Sequence, residues 1–392
     1  MREGNGRWVV IAAGMVVVAG TAWFLFGRDA ELTRSPTCDA VEPGGTRLRS
    51  LPPPGAAQQS RDPAARLGAN ADPAFRPGGA ESVYCEDLAD PFVLRVDQAV
   101  GSRLFVYGTN TDEANVPVLI SRSVLRSERV DDALPTLPGW AAPGGTWAPS
   151  VLQHDDRLIL FYSVTERSSG LQCISVATTE EAEGPFEDSS PGPLICPHDL
   201  GGAIDPSPFV AADGRAFLLW KNDGNCCGVP VAIHVQPLAD DGLTLAGEPV
   251  ELIRATQPWE ASIVEAPAMV EHKGVHYLFY SANAWNRAAY GIGYATCDTP
   301  TGPCRKPLEQ AWLGSSDAAA GPGGQEFFVD GDGGLRMAFH AWSAGKVGYQ
   351  AGGFRSLYTV GVDFVDGAPV TAAQGSEEAS RSTGVFPDAT SS

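Results

Sequence analysis

The chain of 392 residues is short of basic side chains: Lys and Arg total 27 against 47 Asp and Glu, a formal charge of -20. Affinity for a phosphate backbone rests on clustered Lys and Arg, so a nucleic-acid partner is excluded. Convincing amphipathic helical periodicity is also missing, which argues against a helical fold. None of the eight cysteines forms a CxxC pair followed by a second pair or by histidines, so a zinc site is not expected.

What is abundant is glycine (45) and proline (31), with only 19% charged residues, the composition of a turn-rich β protein. An even cysteine count in an exported chain favours disulfides. The local pairs Cys173–Cys196 and Cys297–Cys304 lead, and the adjacent Cys226 and Cys227 either bond to each other or pair elsewhere.

Residues 8–26 form an uncharged apolar run long enough to cross a bilayer, preceded by Arg2 and Arg7. The run ends in Trp23-Phe24-Leu25-Phe26 without a small-x-small cleavage site, so a signal anchor over 1–27 is favoured over a cleaved signal peptide. It would put the remainder on the extracellular face, anchored or secreted. Residues 28–80 are rich in Pro, Ala, Gly and Arg and read as a flexible linker, and 375–392 as a flexible tail.

Between them, over 83–372, five apolar runs follow short turn signals: Arg103–Gly108, Arg157–Ser163, Arg215–Lys221, Val275–Ser281 and Leu335–Ala341. Upstream of the runs stand Asp90-Pro91, Ala148-Pro149, Asp205-Pro206, Glu265-Ala266-Pro267 and Gly324-Gln325. Counted at Asp90, Ala148, Asp205, Glu265 and Gln325, the steps are 58, 57, 60 and 60 residues. Such a period predicts an all-β, five-bladed β-propeller of four-stranded blades, with a β-sandwich as the alternative.

In a propeller, equivalent positions of successive blades surround one axis, so Asp90, Asp205 and Glu265 are expected to converge. Singly, each acid could merely cap backbone amides in a turn. Together they suit glycoside hydrolysis. One protonates the leaving oxygen, a second activates water from roughly 6.5–9.5 Å away in the inverting geometry, and a third keeps the acid protonated by repulsion.

Asp87-Leu-Ala-Asp90-Pro-Phe-Val93, Trp147-Ala-Pro-Ser-Val151, Ala203-Ile-Asp205-Pro-Ser-Pro-Phe209 and Val264-Glu265-Ala-Pro-Ala-Met269 resemble the signatures of glycoside hydrolase family 43. The resemblance implies a five-bladed propeller that inverts configuration at arabinofuranosyl or xylosyl bonds. It implies Asp90 as general base, Glu265 as general acid and Asp205 as the residue that raises and orients the acid. Trp147 resembles the wall of the sugar pocket, and Arg355 a late arginine that contacts sugar. Where many members carry Gly-x-Gly-His, this chain has Gly321-Pro-Gly-Gly-Gln325, and His340 remains as a histidine that could approach the axis or sit in the core. No cofactor is required and no metal is expected, although the axis could accept Ca2+. The expected partners are a carbohydrate (arabinan, arabinoxylan or xylo-oligosaccharide) and the membrane, for a monomeric enzyme. A glycan-binding propeller without catalysis and a retaining fructoside hydrolase are the competing readings.

Overall fold

The computed structural model describes residues 81–84, 86–97, 101–123, 126–317, 319–343 and 345–372. The run 8–26, the linker, the tail, Cys38 and Cys85 lie outside the described residues. Among those described, no helix is long and apolar enough to cross a membrane.

The architecture is a five-bladed β-propeller. Strand β1 (Glu81–Tyr84) precedes a first blade of β2 (Phe92–Asp97), β3 (Ser102–Tyr107), β4 (Pro117–Ser123) and β5 (Arg126–Asp132). The second blade comprises β6 (Ala141–His154), β7 (Arg157–Glu166) and β8 (Gln172–Thr179). The third is built from β9 (Ala203–Val210), β10 (Ala216–Asn222), β11 (Ala232–Pro237) and β12 (Val250–Arg254). Strands β13 (Val264–His272), β14 (Val275–Ala282), β15 (Gly291–Cys297) and β16 (Cys304–Arg305) make the fourth. The fifth contains β17 (Ala319–Val329), β18 (Leu335–Ser343), β19 (Arg355–Val365) and β20 (Ala368–Ala372). Each blade is an antiparallel meander, and β1 joins the fifth blade by pairing with β19, which closes the ring.

Two blades depart from the expected four strands. The fifth has five, through β1 and β20. The second has three, and the chain that follows offers isolated bridges at Glu187, Ile195 and Gly202 in place of a fourth strand. That segment contains Pro185, Pro191, Pro193 and Pro197, each lacking the N–H that a regular ladder requires.

The apolar runs are continuous, not alternating, because both faces of a blade are covered. In β7, Leu158, Leu160 and Tyr162 pack toward the first blade, and Ile159 and Phe161 toward the third. In β10, Leu218 and Trp220 face the second blade while Phe217 and Leu219 face the fourth. In β14, Leu278 and Tyr280 face the third blade, and Tyr277 and Phe279 the fifth. The fifth packs on the first through Phe328, Leu357, Val93 and Val106. Burying each such side chain contributes about 1.5–3 kcal/mol, so the five inter-blade layers hold the ring together. Hairpin chemistry sets the register: Lys273 and Gly274 both have positive φ (51° and 79°), as a two-residue primed turn between β13 and β14 requires.

The disulfides Cys173–Cys196 and Cys297–Cys304 are formed as expected, and Cys226 bonds to Cys227, one of the two alternatives left open for that pair.

Candidate active site

Each blade enters the axis through a kink beside its innermost strand. Asp90, Ala148, Asp205, Ala266 and Gly324 have φ of 50°, 43°, 55°, 47° and 60°. For the four non-glycine residues this left-handed backbone costs on the order of 1–2 kcal/mol each. These five residues are the true repeat position, with steps of 58, 57, 61 and 58. The phase expected from sequence is therefore corrected in two blades: the equivalents of Asp90 and Asp205 are Ala266 and Gly324, and Glu265 and Gln325 each stand one residue away.

The strand registers give the same answer. Ile204 pairs with Lys221 in the third blade as Glu265 pairs with Ser281 in the fourth, Trp147 with Ser163 in the second and Gly323 with His340 in the fifth. Glu265 thus shares its position with Trp147, and its side chain leaves the strand differently from those of the two aspartates. A recess at the axis is lined by Asp90, Ala148, Asp205, Ala266, Gly324 and Glu326, among others. Glu265 stands one backbone position before Ala266 of this lining.

A ring of five hydrogen bonds ties the kinks together. Thr109 Oγ1 accepts from Ala148 N (3.0 Å), Ser163 Oγ from Asp205 N (3.1 Å), Ser281 Oγ from Gly324 N (3.0 Å) and His340 Nδ1 from Asp90 N (3.0 Å). In each case an acceptor on or just after the second strand of one blade holds the kink of the next. The third blade has Lys221 at that position, and an ammonium accepts nothing. There Ala266 N donates to Asp205 Oδ2 at 2.9 Å, and Lys221 Nζ donates to Glu265 Oε2 at 3.0 Å.

Asp90 is held from three sides. Thr109 Oγ1 donates to its Oδ2 at 2.6 Å, Arg355 NH1 lies 3.7 Å from the same oxygen, and the His340 ring lies beneath its amide. Arg355 is buried, placed over the faces of Trp285 (4.8 Å) and Tyr349 (5.8 Å), and its backbone N–H donates to Asp87 Oδ1. The structure therefore brings Arg355 to the general-base candidate. Trp147 is half-buried, next to Ala148 and Pro149 of the recess.

Glu265 accepts from Tyr290 Oη at Oε1 (2.8 Å) and from Lys221 at Oε2. The glycines of the fifth blade make room for this arrangement. A Cβ on Gly323 would come within 2.0 Å of the Tyr290 ring, and one on Gly324 within 2.6 Å of Asp90 Oδ1 and His340 Nδ1. Burial, then the charge of Glu265, pushes the Asp205 carboxyl up to about 8, with Lys221 opposing and Asp90 adding to the rise. Glu326, one residue past Gln325 and hydrogen-bonded to Ser207, is likewise pushed up to about 8 by burial.

His340 is fully buried, and burial followed by the Arg355 charge drives its pKa well below the ordinary value, so the ring is neutral. Since Nδ1 accepts from Asp90 N, the proton sits on Nε2, a buried donor without a partner among the described residues. In that tautomer the ring is not a cation ligand. Among the described residues, the acids and histidines of the axis do not form a cluster of metal-ligand spacing. The group that does is Glu166, Cys196 and His198, where the Cys196 sulfur is spent in a disulfide. The residues present do not fit the axial Ca2+ allowed by the resemblance, and no step below passes through a metal.

Sequence reasoning missed Thr109, Lys221, Tyr290 and Glu326. A signal for three of these second-strand positions was present in the apolar runs, which end Phe-Tyr-Ser163, Leu-Trp-Lys221 and Phe-Tyr-Ser281: a polar residue closes each.

Comparison with known proteins agrees with this geometry. The family Glycosyl hydrolases family 43 matches residues 81–369. A solved thermostable family-43 glycoside hydrolase superposes with a TM-score of 0.64 at 27% identity, covering 76% of this chain and 95% of that one. A β-D-galactofuranosidase of Aspergillus niger is 27% identical over 208 residues, 48% of this chain and 57% of that enzyme. The extracellular endo-α-(1→5)-L-arabinanase 1 of Bacillus subtilis is 25% identical over 276 residues, 65% of this chain and 81% of that enzyme. The chain spans from about a third to just over half of the length of several curated relatives that it matches. With the match running from β1 to β20 and therefore through every blade, the chain belongs to glycosyl hydrolases family 43.

Proposed function

We propose that the protein hydrolyses glycosidic bonds with inversion, acting on α-L-arabinofuranosyl or β-xylosyl groups. The observation that carries this reading is that Asp90 and Asp205 line one axial recess from two blades while Glu265, from a third, is near enough to Asp205 for their charges to interact. Asp90 acts as general base: its Oδ2 is oriented by Thr109 and Arg355, leaving the carboxylate to take a proton from water. Glu265 acts as general acid toward the leaving oxygen. Asp205, tied to the amide next to Glu265, is the third carboxyl. Arg355 and Trp147 contact the sugar.

Relatives named as an arabinanase and a galactofuranosidase support a furanose ring in the recess. The name of the arabinanase also supports an extracellular site of action. Residues 8–26 would tether the enzyme there, and it would work as a monomer.

Release of reducing sugar from arabinan and arabinoxylan, and of aryl alcohol from aryl α-L-arabinofuranoside, β-D-xyloside and β-D-galactofuranoside, tests the reading. Turnover on at least one, abolished in Asp90→Asn, is expected. Binding without release across the panel would make the protein a lectin.

A further inference from the structure

The inter-blade ring has one irregular member. Four positions carry acceptors: Thr109, Ser163, Ser281 and the Nδ1 of His340. The fifth is Lys221, which is fully buried and, among the described residues, stands behind the acid candidate. A serine there would suffice to hold Ala266 N, as it does for Asp205 N and Gly324 N. The lysine leaves that amide to Asp205 and spends its own donors elsewhere, on Glu265 Oε2 at 3.0 Å and Asn225 Oδ1 at 2.6 Å.

Asn225 is exposed, but its turn is well fixed. It sits in the short 3-10 turn Gly224–Cys226, closed by the Cys226–Cys227 disulfide. Asn222 anchors the turn by donating to Leu200 O and Pro230 O and accepting from Ala232 N. A chain of contacts therefore runs from the surface turn through Asn225 and Lys221 to Glu265.

We propose that Lys221 is a positioning residue for Glu265, held by Asn225, and that its ammonium sets how readily Glu265 takes up and releases the proton it delivers. This rests on the reading of Glu265 as general acid. The charged and titratable groups facing the pair are Asp223 on the same turn (3.7 Å from Lys221 Nζ), Asp205 on β9, Tyr290 ahead of β15 and Asp90 across the axis. Burial works against the charge of Lys221, but Glu265, Asp223 and Asp205 together outweigh it, and the side chain remains an ammonium. A cation at this distance favours an ionised carboxyl, so an acid that must be protonated to act loses its proton at lower pH than it would without Lys221. The lysine also makes the acid quick to release its proton to a leaving oxygen.

The experiment compares Lys221→Met and Asn225→Ala with the wild type by two readouts. One is the alkaline limb of the pH profile of kcat/KM, which reports the acid. The other, which needs no substrate, is the carboxyl titration of Glu265 by carbon NMR on glutamate-labelled protein, assigned with Glu265→Gln. Removing the ammonium is expected to move both upward by about one to three pH units. Asn225→Ala, at an exposed position that does not endanger folding, is expected to move them the same way by less. A lysine that only fills space would lower activity or stability with both midpoints unmoved, and that result in the two variants overturns the proposal while hydrolysis by the wild type still upholds the general function. Failure of the wild type to cleave any glycoside would instead overturn the function, and the NMR titration would still decide whether Lys221 governs the carboxyl.

Discussion

The junction between the second and third blades and the one between the third and fourth are built on the same register position, yet they do different work. At the first, Ser163 Oγ accepts the N–H of Asp205 and nothing charged is involved. At the second, Lys221 replaces the hydroxyl, the Asp205 carboxylate takes over the amide of Ala266, and the ammonium turns to Glu265. One substitution in a repeated hydrogen bond thus converts an architectural joint into a charged network. The propeller tolerates the exchange because the inter-blade apolar layers, with Phe209, Phe217, Leu278 and Tyr280 at this junction, carry the cohesion.

Damage at the charged junction is expected to show in turnover and damage at the neutral one in stability. The largest effect is expected for Asp90→Asn. Losing the group that activates water should reduce kcat/KM by about a hundred- to ten-thousand-fold, measured on the best substrate of the panel, with an unchanged melting curve. Glu265→Gln should be nearly as severe for alkyl glycosides and much milder for aryl glycosides with good leaving groups, which need little protonation. Equal losses across leaving groups would remove Glu265 from the acid role. Ser163→Ala should do the reverse of both: leaving the Asp205 amide without its acceptor costs about 1–3 kcal/mol by urea unfolding, with the pH profile of turnover in place.

A further effect concerns pH and stability. In the folded chain Asp205 and Glu326 are held up to about 8, against ordinary values of 3.8 and 4.5. The native state therefore keeps protons that the unfolded chain has lost across that window. Stability should fall as pH rises from about 4 to about 8 and level off above. Glu326→Gln, lying on the recess but outside the Lys221 network, should flatten part of this slope in urea midpoints taken at about pH 5 and about pH 9.

Much of this was legible in the sequence, and for a physical reason. A blade buries both faces, so its second strand is a dense apolar run such as Leu158–Tyr162, and five such runs at a near-constant spacing leave few folds to choose from. The kinks were visible as Asp-Pro and Ala-Pro pairs. What a count of residues cannot resolve is a one-residue offset. Glu265 looked in phase with Asp90 and Asp205 because all three are acids, while the backbone aligns them with Ala266. The offset decides which way a side chain leaves the strand, and here it sends the acid toward Lys221 and Tyr290. Tyr290 was illegible for a different reason: it lies 25 residues beyond Glu265, after a loop whose course depends on Trp285 packing against Trp342 and Arg355. The missing fourth strand of the second blade could have been read from its four prolines.

The most direct test of the account is the configuration of the first sugar released. Proton NMR during early turnover of an aryl α-L-arabinofuranoside by the wild-type enzyme should show the β-anomer forming first and then equilibrating. Initial release of the α-anomer would mean a covalent intermediate, and would contradict the assignment of Asp90 as the base that activates water.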